Sequence, residues 1–159
     1  MATEIFAKIG DIKGESLDIK HKDEIEVLSF SWGVANAGST GPDGKGGAGK
    51  PTFQDLLIVH GIDNATPALL QACATGQHIK DATISHRKAG KGQQDFLIIT
   101  LNDVTITAVS ETGAEDQPYF ESVSLKFAKV DVNYRRQQPD GTLDEGLHFN
   151  FDLKANKVG

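Results

Sequence analysis

HKDEIEVLSFSWGVAN at residues 21–36 runs directly into AGSTGPDGKGGAGKP at residues 37–51, and this junction decides the fold. In the first half, apolar residues alternate with small ones: Leu28, Phe30, Trp32 and Val34 against Ser29, Ser31 and Gly33. This period of two predicts a half-buried β-strand. The second half is too polar and glycine-rich to pack on itself, and loops this long in a small domain are usually functional or disordered. We expect it to be a contact arm.

The strand carries a change of phase. Ile25 and Val27 are odd-numbered, whereas the apolar residues from Leu28 onward are even-numbered. A slip of one residue moves the apolar set to the other face, so we predict a bulge or sharp bend near Val27 and Leu28. A second strand, predicted over residues 122–135, repeats the slip between Phe127 and Val130.

The other predicted strands follow the same alternation. They lie at residues 3–9, 52–59, 78–87, 95–101, 104–110 and 147–153, and the tail from residue 154 is expected to fray. A single short helix is predicted, with Thr66 as its N-cap, Pro67 in the first turn and Gly76 just after the end. Its apolar stripe would consist of Leu69, Leu70 and Cys73.

These elements predict a mainly β fold. Long strands that switch faces midway suit the corners of a small two-sheet β-barrel or sandwich. It would carry one flanking helix at about 66–76 and the glycine-rich loop at about 37–51. The 159 residues and 17.1 kDa predict a single domain over residues 1–159.

Charge and composition exclude several functions. The net charge of −6 and the sequence pI of about 5.3 argue against electrostatic binding of nucleic acid or an anionic membrane. The single cysteine, Cys73, cannot form a disulfide within the chain and is expected to be a buried helical thiol. The sequence has neither a secretory signal pattern nor a long apolar run, so we expect folding in the cytoplasm and any export by a signal-less route.

The search for chemistry yields no catalytic, cofactor or metal site. Residues 44–50 match the nucleotide-binding pattern G-x-x-x-x-G-K, but Pro51 stands where Ser or Thr would bind magnesium, and the following segment suits a strand better than the required helix. The five histidines have no metal-ligand spacing. We therefore expect no enzyme activity and no cofactor. The remaining hypothesis is a function in assembly with other chains, because sheets with few covering helices have edges that must be protected or paired.

Several segments resemble one known family, the hemolysin-coregulated protein (Hcp) family of bacterial type VI secretion. The segments are KIGDIKGES at 8–16, HKDEIEVLSFSWG at 21–33, GGAGK at 46–50, ATPALLQACATGQHI at 65–79, RKAG at 87–90, LIITLNDV at 97–104 and ESVSLKFAKV at 121–130. Together they cover nearly the whole chain in one order. The region 136–148 departs most from the family pattern.

The resemblance implies a β-barrel with one flanking helix that forms homohexameric rings around a wide channel. The rings stack into the inner tube of a contractile injection apparatus, with a sheath, a spike and a baseplate as partners. The tube is expelled from the cell and carries small effector proteins in its lumen. The resemblance implies no catalytic residue, no cofactor, no nucleic-acid binding and no membrane insertion.

Three sets of residues follow from the resemblance. Ring stacking would use the loop residues Gly38, Ser39, Thr40, Gly41, Pro42, Asp43, Gly44, Lys45, Gly46, Gly47 and Lys50. Cargo in the lumen would contact the turn predicted at 110–116, through Ser110, Glu111, Thr112 and Gly113. The barrel wall and its interface would include Ser29, Ser31 and Trp32.

Three alternatives stay open. The chain could be a tail-tube subunit of a phage or phage-like particle, which would share the fold and the ring. It could instead be a monomeric barrel that binds a small ligand, which would need an apolar pocket with a few convergent polar groups. A nucleotide-dependent enzyme would require the loop lysine Lys50 to bind phosphate.

Overall fold

Alternating apolar residues form eleven strands and one helix in the computed structural model, which describes residues 2–38, 49–88 and 94–159. The strands are β1 Thr3–Ile9, β2 Ile25–Ser31, β3 Val34–Ala35, β4 Thr52–Phe53, β5 Leu56–Gly61, β6 His78–Lys88, β7 Asp95–Thr112, β8 Phe120–Lys126, β9 Lys129–Tyr134, β10 Leu147–Asp152 and β11 Lys157–Val158. The helix, α1, spans Thr66–Thr75. The predicted mainly β class is confirmed.

Six strands close into a barrel in the order β1, β2, β5, β8, β7 and β6, with every neighbouring pair antiparallel. Strand β7 is 18 residues long and holds the closure together. Its first half also pairs with β9, which starts a three-stranded extension through β10 and β11, and its second half pairs with β8. The sheet formed by β2, β5, β8 and β7 therefore has one flank at β2 and the opposite flank at β7, and β9 joins β7 on the side where β8 lies.

The prediction of separate strands at 95–101 and 104–110 was wrong. Asn102 and Asp103 look like a turn, but the strand runs through them with Asp103 at φ +53°. Asp tolerates this left-handed conformation better than most residues, so the chain bends without ending the ladder. The bend lies where the partners of β7 change from β9 to β8.

The predicted phase slip in β2 is confirmed as a register shift between Val27 and Ser29. The slip keeps Ile25, Val27 and Phe30 directed toward the core. Leu28 is the extra residue and is 61% exposed, so its predicted place on the apolar face was wrong. A residue inserted by a bulge does not share the ladder of its neighbours, and its side chain is left outside the core.

The second slip divides the chain instead of bending it. The strand predicted over 122–135 is two strands, β8 and β9, separated by the buried residues Phe127 and Ala128. The strand predicted over 52–59 likewise divides into β4 and β5. The prediction that the tail frays from residue 154 was also wrong, because Lys157 and Val158 pair with Asp152 and Phe151.

Helix α1 has the predicted bounds but a different N-terminal cap. The N-cap is Ala65 and has no side-chain cap, so the prediction of Thr66 as N-cap was wrong. Just before the helix, the Asp63 carboxylate accepts the amide of Ala65 and the Thr66 hydroxyl accepts the amide of Asp63. At the other end Gly76, at φ +64°, and Gln77 donate to the last carbonyls in a Schellman motif. Leu69 is fully buried, whereas Leu70 is 41% exposed. Cys73 is half-buried, not enclosed as predicted.

The core contains a neutral histidine. His86 is buried between Phe30 and Phe96, and its Nδ1–H donates to the Leu97 carbonyl at 3.2 Å. Its Nε2 has no partner among the described residues. Burial lowers the pKa of His86 from its ordinary value of 6.5, because a charged imidazole there would lose its hydration.

Replacing His86 with Phe is expected to flatten the acid side of the stability profile. The neutral ring stabilises the fold fully above the unfolded pKa of 6.5, and this contribution is lost as the pH falls below that value, since only the unfolded chain takes up the proton. His86 contributes at most about 1.4 kcal/mol per pH unit to the slope of the free energy of unfolding against pH. Urea unfolding of both proteins at about pH 7.5 and about pH 5.5 measures it. An unchanged slope in His86→Phe would contradict this account.

Candidate functional site: a serine face between two open edges

Serine is the commonest residue in two rows of side chains across one side of the barrel. Residues paired directly across antiparallel strands point to the same side of the sheet. The pairing register of β2, β5, β8 and β7 therefore gives one row of Ser29, Val59, Ser122 and Ser110, and a second of Ser31, Leu57, Ser124 and Ala108. We call these two rows the serine face. The opposite side of the same sheet carries core residues, among them the fully buried Ile58 and Val123.

The structure brings together residues that the sequence places in separate predictions. Ser29 and Ser31, predicted for the barrel wall, lie on the serine face with Ser110, predicted for the channel. Thr112 points to the same side in the next row, opposite Phe120. The predicted turn at 110–116 was wrong at its start, because β7 continues to Thr112 and the connection begins at Gly113.

Glu111 and Trp32 lie apart from this face. Glu111 is directed to the other side of the sheet, opposite Glu121. Trp32 follows the end of β2 and packs inward, with its ring centroid 6.4 Å from that of Phe53 and 6.2 Å from that of Phe127. Both positions follow from strand alternation and from the aromatic cluster beneath the short β3–β4 ladder.

A buried polar pair supports the end of the serine face. His60 Nε2 lies 2.8 Å from Glu121 Oε1, and both side chains are fully buried. The Thr66 hydroxyl donates to the same oxygen at 3.3 Å, which ties the start of α1 to β8. Burial raises the pKa of Glu121, and its contact with Glu111 adds to the effect, while His60 and Thr66 oppose it. Sequence analysis missed this pair, since 61 residues separate its members.

The sheet that bears the serine face has an open edge on each side. Within the described residues, β2 pairs with β1 only over 25–27, so its second half has a ladder partner, β5, on one side. Residues 108–112 of β7 likewise pair with β8 alone. Unpaired strand edges are templates for association with another chain.

The base of the glycine-rich loop is fixed by one side chain. The amide nitrogen of Asn36 donates to the Gly49 carbonyl at 2.6 Å, and its oxygen accepts the backbone amides of Gly38 and Gly49, each at 3.0 Å. Gly38 and Lys50 of the predicted stacking set lie here. The remaining predicted residues, Ser39, Thr40, Gly41, Pro42, Asp43, Gly44, Lys45, Gly46 and Gly47, lie outside the described residues.

The nucleotide-binding alternative lacks its structural context. Strands β4 and β5 follow Lys50, whereas a phosphate-binding loop opens a helix. The ligand-binding barrel is disfavoured because fully buried side chains such as Leu56, Ile58, Leu101 and Leu125 fill the interior. Among the described residues no group of His, Cys, Asp or Glu side chains is placed to hold a metal ion. No helix in the described part of the chain is long and apolar enough to cross a membrane.

The outer side of β1 and β6 is covered by residues 10–24. His21 stacks on Phe6 with ring centroids 4.4 Å apart and contacts Glu24 and Asp95, each at 3.0 Å. Arg87 is only 3% exposed, and its guanidinium donates to Asp18 at 2.9 and 2.5 Å.

Asp18 is the anchor of this covering segment. Arg87 donates to Glu4 as well, at 2.6 Å, so the guanidinium lies between two carboxylates. The hydrogen bonds from Arg87 are the main reason that the pKa of Asp18 is lowered to about 2. Its neighbours Leu17 and Ile19 point outward and are 89% and 96% exposed.

A closed barrel with a small polar face between two open strand edges has the surfaces that strand-edge association between chains requires. Comparison with known proteins identifies the family to which this protein belongs. The sequence profile described as "Type VI secretion system effector, Hcp" matches residues 6–134. Protein hcp1 of Pseudomonas aeruginosa is 44% identical over 160 residues, covering 98% of each chain.

Solved structures agree with this match. The crystal structure of Hcp1 from Salmonella typhimurium has a TM-score of 0.82 at 38% identity and covers 100% of both chains. A structure described as a type six secretion system protein has a TM-score of 0.94 at 25% identity, covering 99% of this chain and 100% of the other. The chain belongs to the Hcp family, and its function is that of a type VI secretion tube subunit. Hcp is a family of structural secretion proteins, not of enzymes.

Replacing Asp18 with Asn is expected to lower the urea midpoint at neutral pH, because Arg87 would lose its main charged partner while remaining buried. The carboxylate stabilises the fold above its unfolded pKa of 3.8, and this contribution is lost as the pH falls through about 2. The difference between wild type and variant should therefore narrow over that range. Asp23→Asn is the matched control, since Asp23 has φ +62° and Asn tolerates this conformation. Equal urea midpoints for Asp18→Asn and Asp23→Asn would contradict the role of Asp18 as the anchor of the covering segment.

Proposed function

We propose that this chain forms six-membered rings that stack into the secretion tube, with the serine face lining the channel. The observation that carries the proposal is the position of that face between two open strand edges. A head-to-tail contact uses two different surfaces of each subunit and closes into a ring when its rotation closes. The β2 edge and the β7 edge provide two such surfaces on opposite flanks.

Edge pairing between neighbours extends the sheet around the channel. Residues 28–31 of one subunit lie beside residues 108–112 of the next in this arrangement, so main-chain groups left unpaired in the monomer gain partners. The serine faces of successive subunits then form one continuous wall. Five serine side chains together with Val59, Leu57 and Ala108 make this wall uncharged and weakly polar, which suits the passage of varied proteins without tight binding to any.

Cargo contact in this arrangement uses the end of the channel wall nearest Thr112. Ser110, Thr112 and Gly113 border the channel there, whereas Glu111 supports the sheet from behind through Glu121. We assign small effector proteins to the lumen on this basis. Surrounding sheath, spike and baseplate proteins, and export without a signal peptide, complete the proposal and rest on family membership.

Stacking is assigned to the loop from Gly38 to Lys50, whose base is fixed by Asn36. A glycine-rich segment loses much conformational entropy when it is ordered in a contact. Ring contacts made by preformed strands are therefore expected to be stronger than stacking contacts. Rings should persist under conditions in which tubes dissociate.

Light scattering across a concentration range should give a mass of about six times the 17.1 kDa of one chain. Negative-stain images of the same sample should show six-fold rings with an open centre. Both results follow from head-to-tail closure through the two edges. A compact monomer at every concentration would refute the ring.

Deleting residues 41–48 should leave rings intact while abolishing tubes and secretion. The strands that close the ring lie outside the deleted stretch, and the Asn36 bonds at the base of the loop are retained. Negative stain compares ring and tube formation, and export is measured in a secreting strain. Replacing the same residues with a Gly-Ser linker of equal length separates the effect of sequence from that of length. Persistence of tubes after the deletion would contradict the stacking role.

A further inference from the structure

Three titratable side chains lie in one row across the barrel, behind the end of the serine face. His60 on β5 pairs with Glu121 on β8, and Glu121 pairs with Glu111 on β7, so all three point to the same side of the sheet. His60 and Glu121 are fully buried, whereas Glu111 is exposed. We call these three residues the acid row. The row runs from the buried interior to solvent at the end of the β7–β8 ladder.

The two oxygens of the Glu121 carboxyl group have different surroundings. Oε1 lies 2.8 Å from His60 Nε2 and accepts the Thr66 hydroxyl at 3.3 Å. Oε2 is buried and has no donor among the described residues. The Glu121 carboxyl group is also in hydrogen-bonding contact with the carboxyl group of Glu111. Because Oε1 already has two partners, Oε2 is the oxygen left for this contact.

A hydrogen bond between two carboxyl groups requires a proton. Two ionised carboxylates have no donor between them and repel each other, so one of the pair must be protonated. A proton on Glu121 Oε2 gives that buried oxygen a partner and avoids the cost of burying an ionised carboxylate. Burial raises the pKa of Glu121 above its ordinary value of 4.5, and the contact with Glu111 adds to this increase.

The groups packed around this proton come from several parts of the chain. They are His60 from β5, Asp63 from the turn before α1, Glu111 from β7 and the Thr66 hydroxyl from α1. His60 and Thr66 favour the ionised form of Glu121, but burial outweighs them. Asp63 Oδ2 lies 3.6 Å from His60 Nδ1, so a positive charge on His60 is divided between two carboxyl groups.

Opening of the ladder end releases the proton. Once the ends of β7 and β8 separate, Glu121 meets water and its pKa returns toward the ordinary value, so the open state holds fewer protons than the closed state. Rising pH therefore favours the open state, from about pH 4.5 up to the raised pKa of Glu121. The pairs affected are the last two of the ladder, Glu111 with Glu121 and Thr112 with Phe120.

We propose that Glu121 and Glu111 share one proton, and that this proton holds the end of the β7–β8 ladder closed at low pH and is released as the pH rises. The device is part of the fold of a single chain and goes beyond the proposed ring. In that ring the same pairs end the channel wall beside Thr112, so this end of the wall becomes less rigid in alkaline surroundings.

Infrared spectroscopy detects the shared proton directly, because a protonated carboxyl group has a carbonyl stretching band that ionised carboxylates lack. Wild type should keep such a band above about pH 5.5, where exposed carboxyl groups are ionised. Glu121→Gln should lose it. Glu115→Gln removes an exposed carboxyl group from the connection between β7 and β8 and is the matched control, which should keep the band. A wild-type spectrum without this band would overturn the proposal.

Hydrogen exchange measures whether the proton controls the ladder end. In wild type, the opening equilibrium of residues 109–112 and 120–123 should rise by up to about tenfold per pH unit above pH 4.5. Glu121→Gln keeps the hydrogen bonds of the protonated acid but has no proton to release, so its opening should not respond to pH. Comparing the two proteins at each pH cancels the pH dependence of chemical exchange. The same response in both would separate the proton from the ladder end and overturn the proposal.

Glu111→Gln provides a second test that does not alter the buried position. Its amide donates to the Glu121 carboxylate where the wild type needs a proton, so the infrared band should disappear at a lower pH than in wild type. A band that titrates as in wild type would show that Glu111 does not share the proton. Infrared spectra report the carboxyl proton in monomers and rings alike, so this result does not depend on whether the ring forms.

Discussion

The unbroken ladder along β7 is the constraint on which the rest of the structure depends. Its 18 residues pair with β6 over the first part, with β9 on the other side of that part, and with β8 over the remainder. One strand thereby closes the barrel and starts the extension formed by β9, β10 and β11. The left-handed Asp103 bends the strand between these partners without ending it. Were the chain to turn at Asp103, β8 and β9 would lose their common support and the two flanks would no longer be fixed relative to each other.

Local alternation in the sequence was enough to predict which residues share a side of a strand. The bounds of β1 and α1 and the slip near Val27 follow from it, because each depends on neighbours a few residues away. Alternation does not tell whether a side is covered. Leu28 and Leu147 fit apolar patterns but are exposed, since cover depends on elements that are distant in the sequence. The joining of 95–101 to 104–110 was missed for a related reason: Asn102 and Asp103 give a turn signal that long-range pairing overrides.

The candidate site likewise has one part that local sequence patterns predict and another that they do not. Ser29 and Ser31 were predicted to share a side, but their alignment with Ser110 and Ser122 depends on the register of four strands, which no local pattern specifies. The polar anchors were missed because their members are far apart in sequence, 61 residues for His60 and Glu121 and 69 for Asp18 and Arg87. Buried charges need partners, so Arg87, which is 3% exposed, requires a carboxylate from elsewhere in the chain. The sequence of β6, HIKDATISHRK, gives no local sign that this arginine is buried.

The buried charges and the exposed apolar groups are parts of one arrangement. Extended chain directs successive side chains to opposite sides, so drawing Asp18 inward to Arg87 directs Leu17 and Ile19 outward. The Asp18 anchor thus fixes the positions of Leu17 and Ile19, and the open edges of β2 and β7 are preformed in the same sense. Association through such surfaces loses less entropy than ordering a glycine-rich loop does. In the proposed assembly this difference makes rings the first stable unit and stacking the weaker, later step.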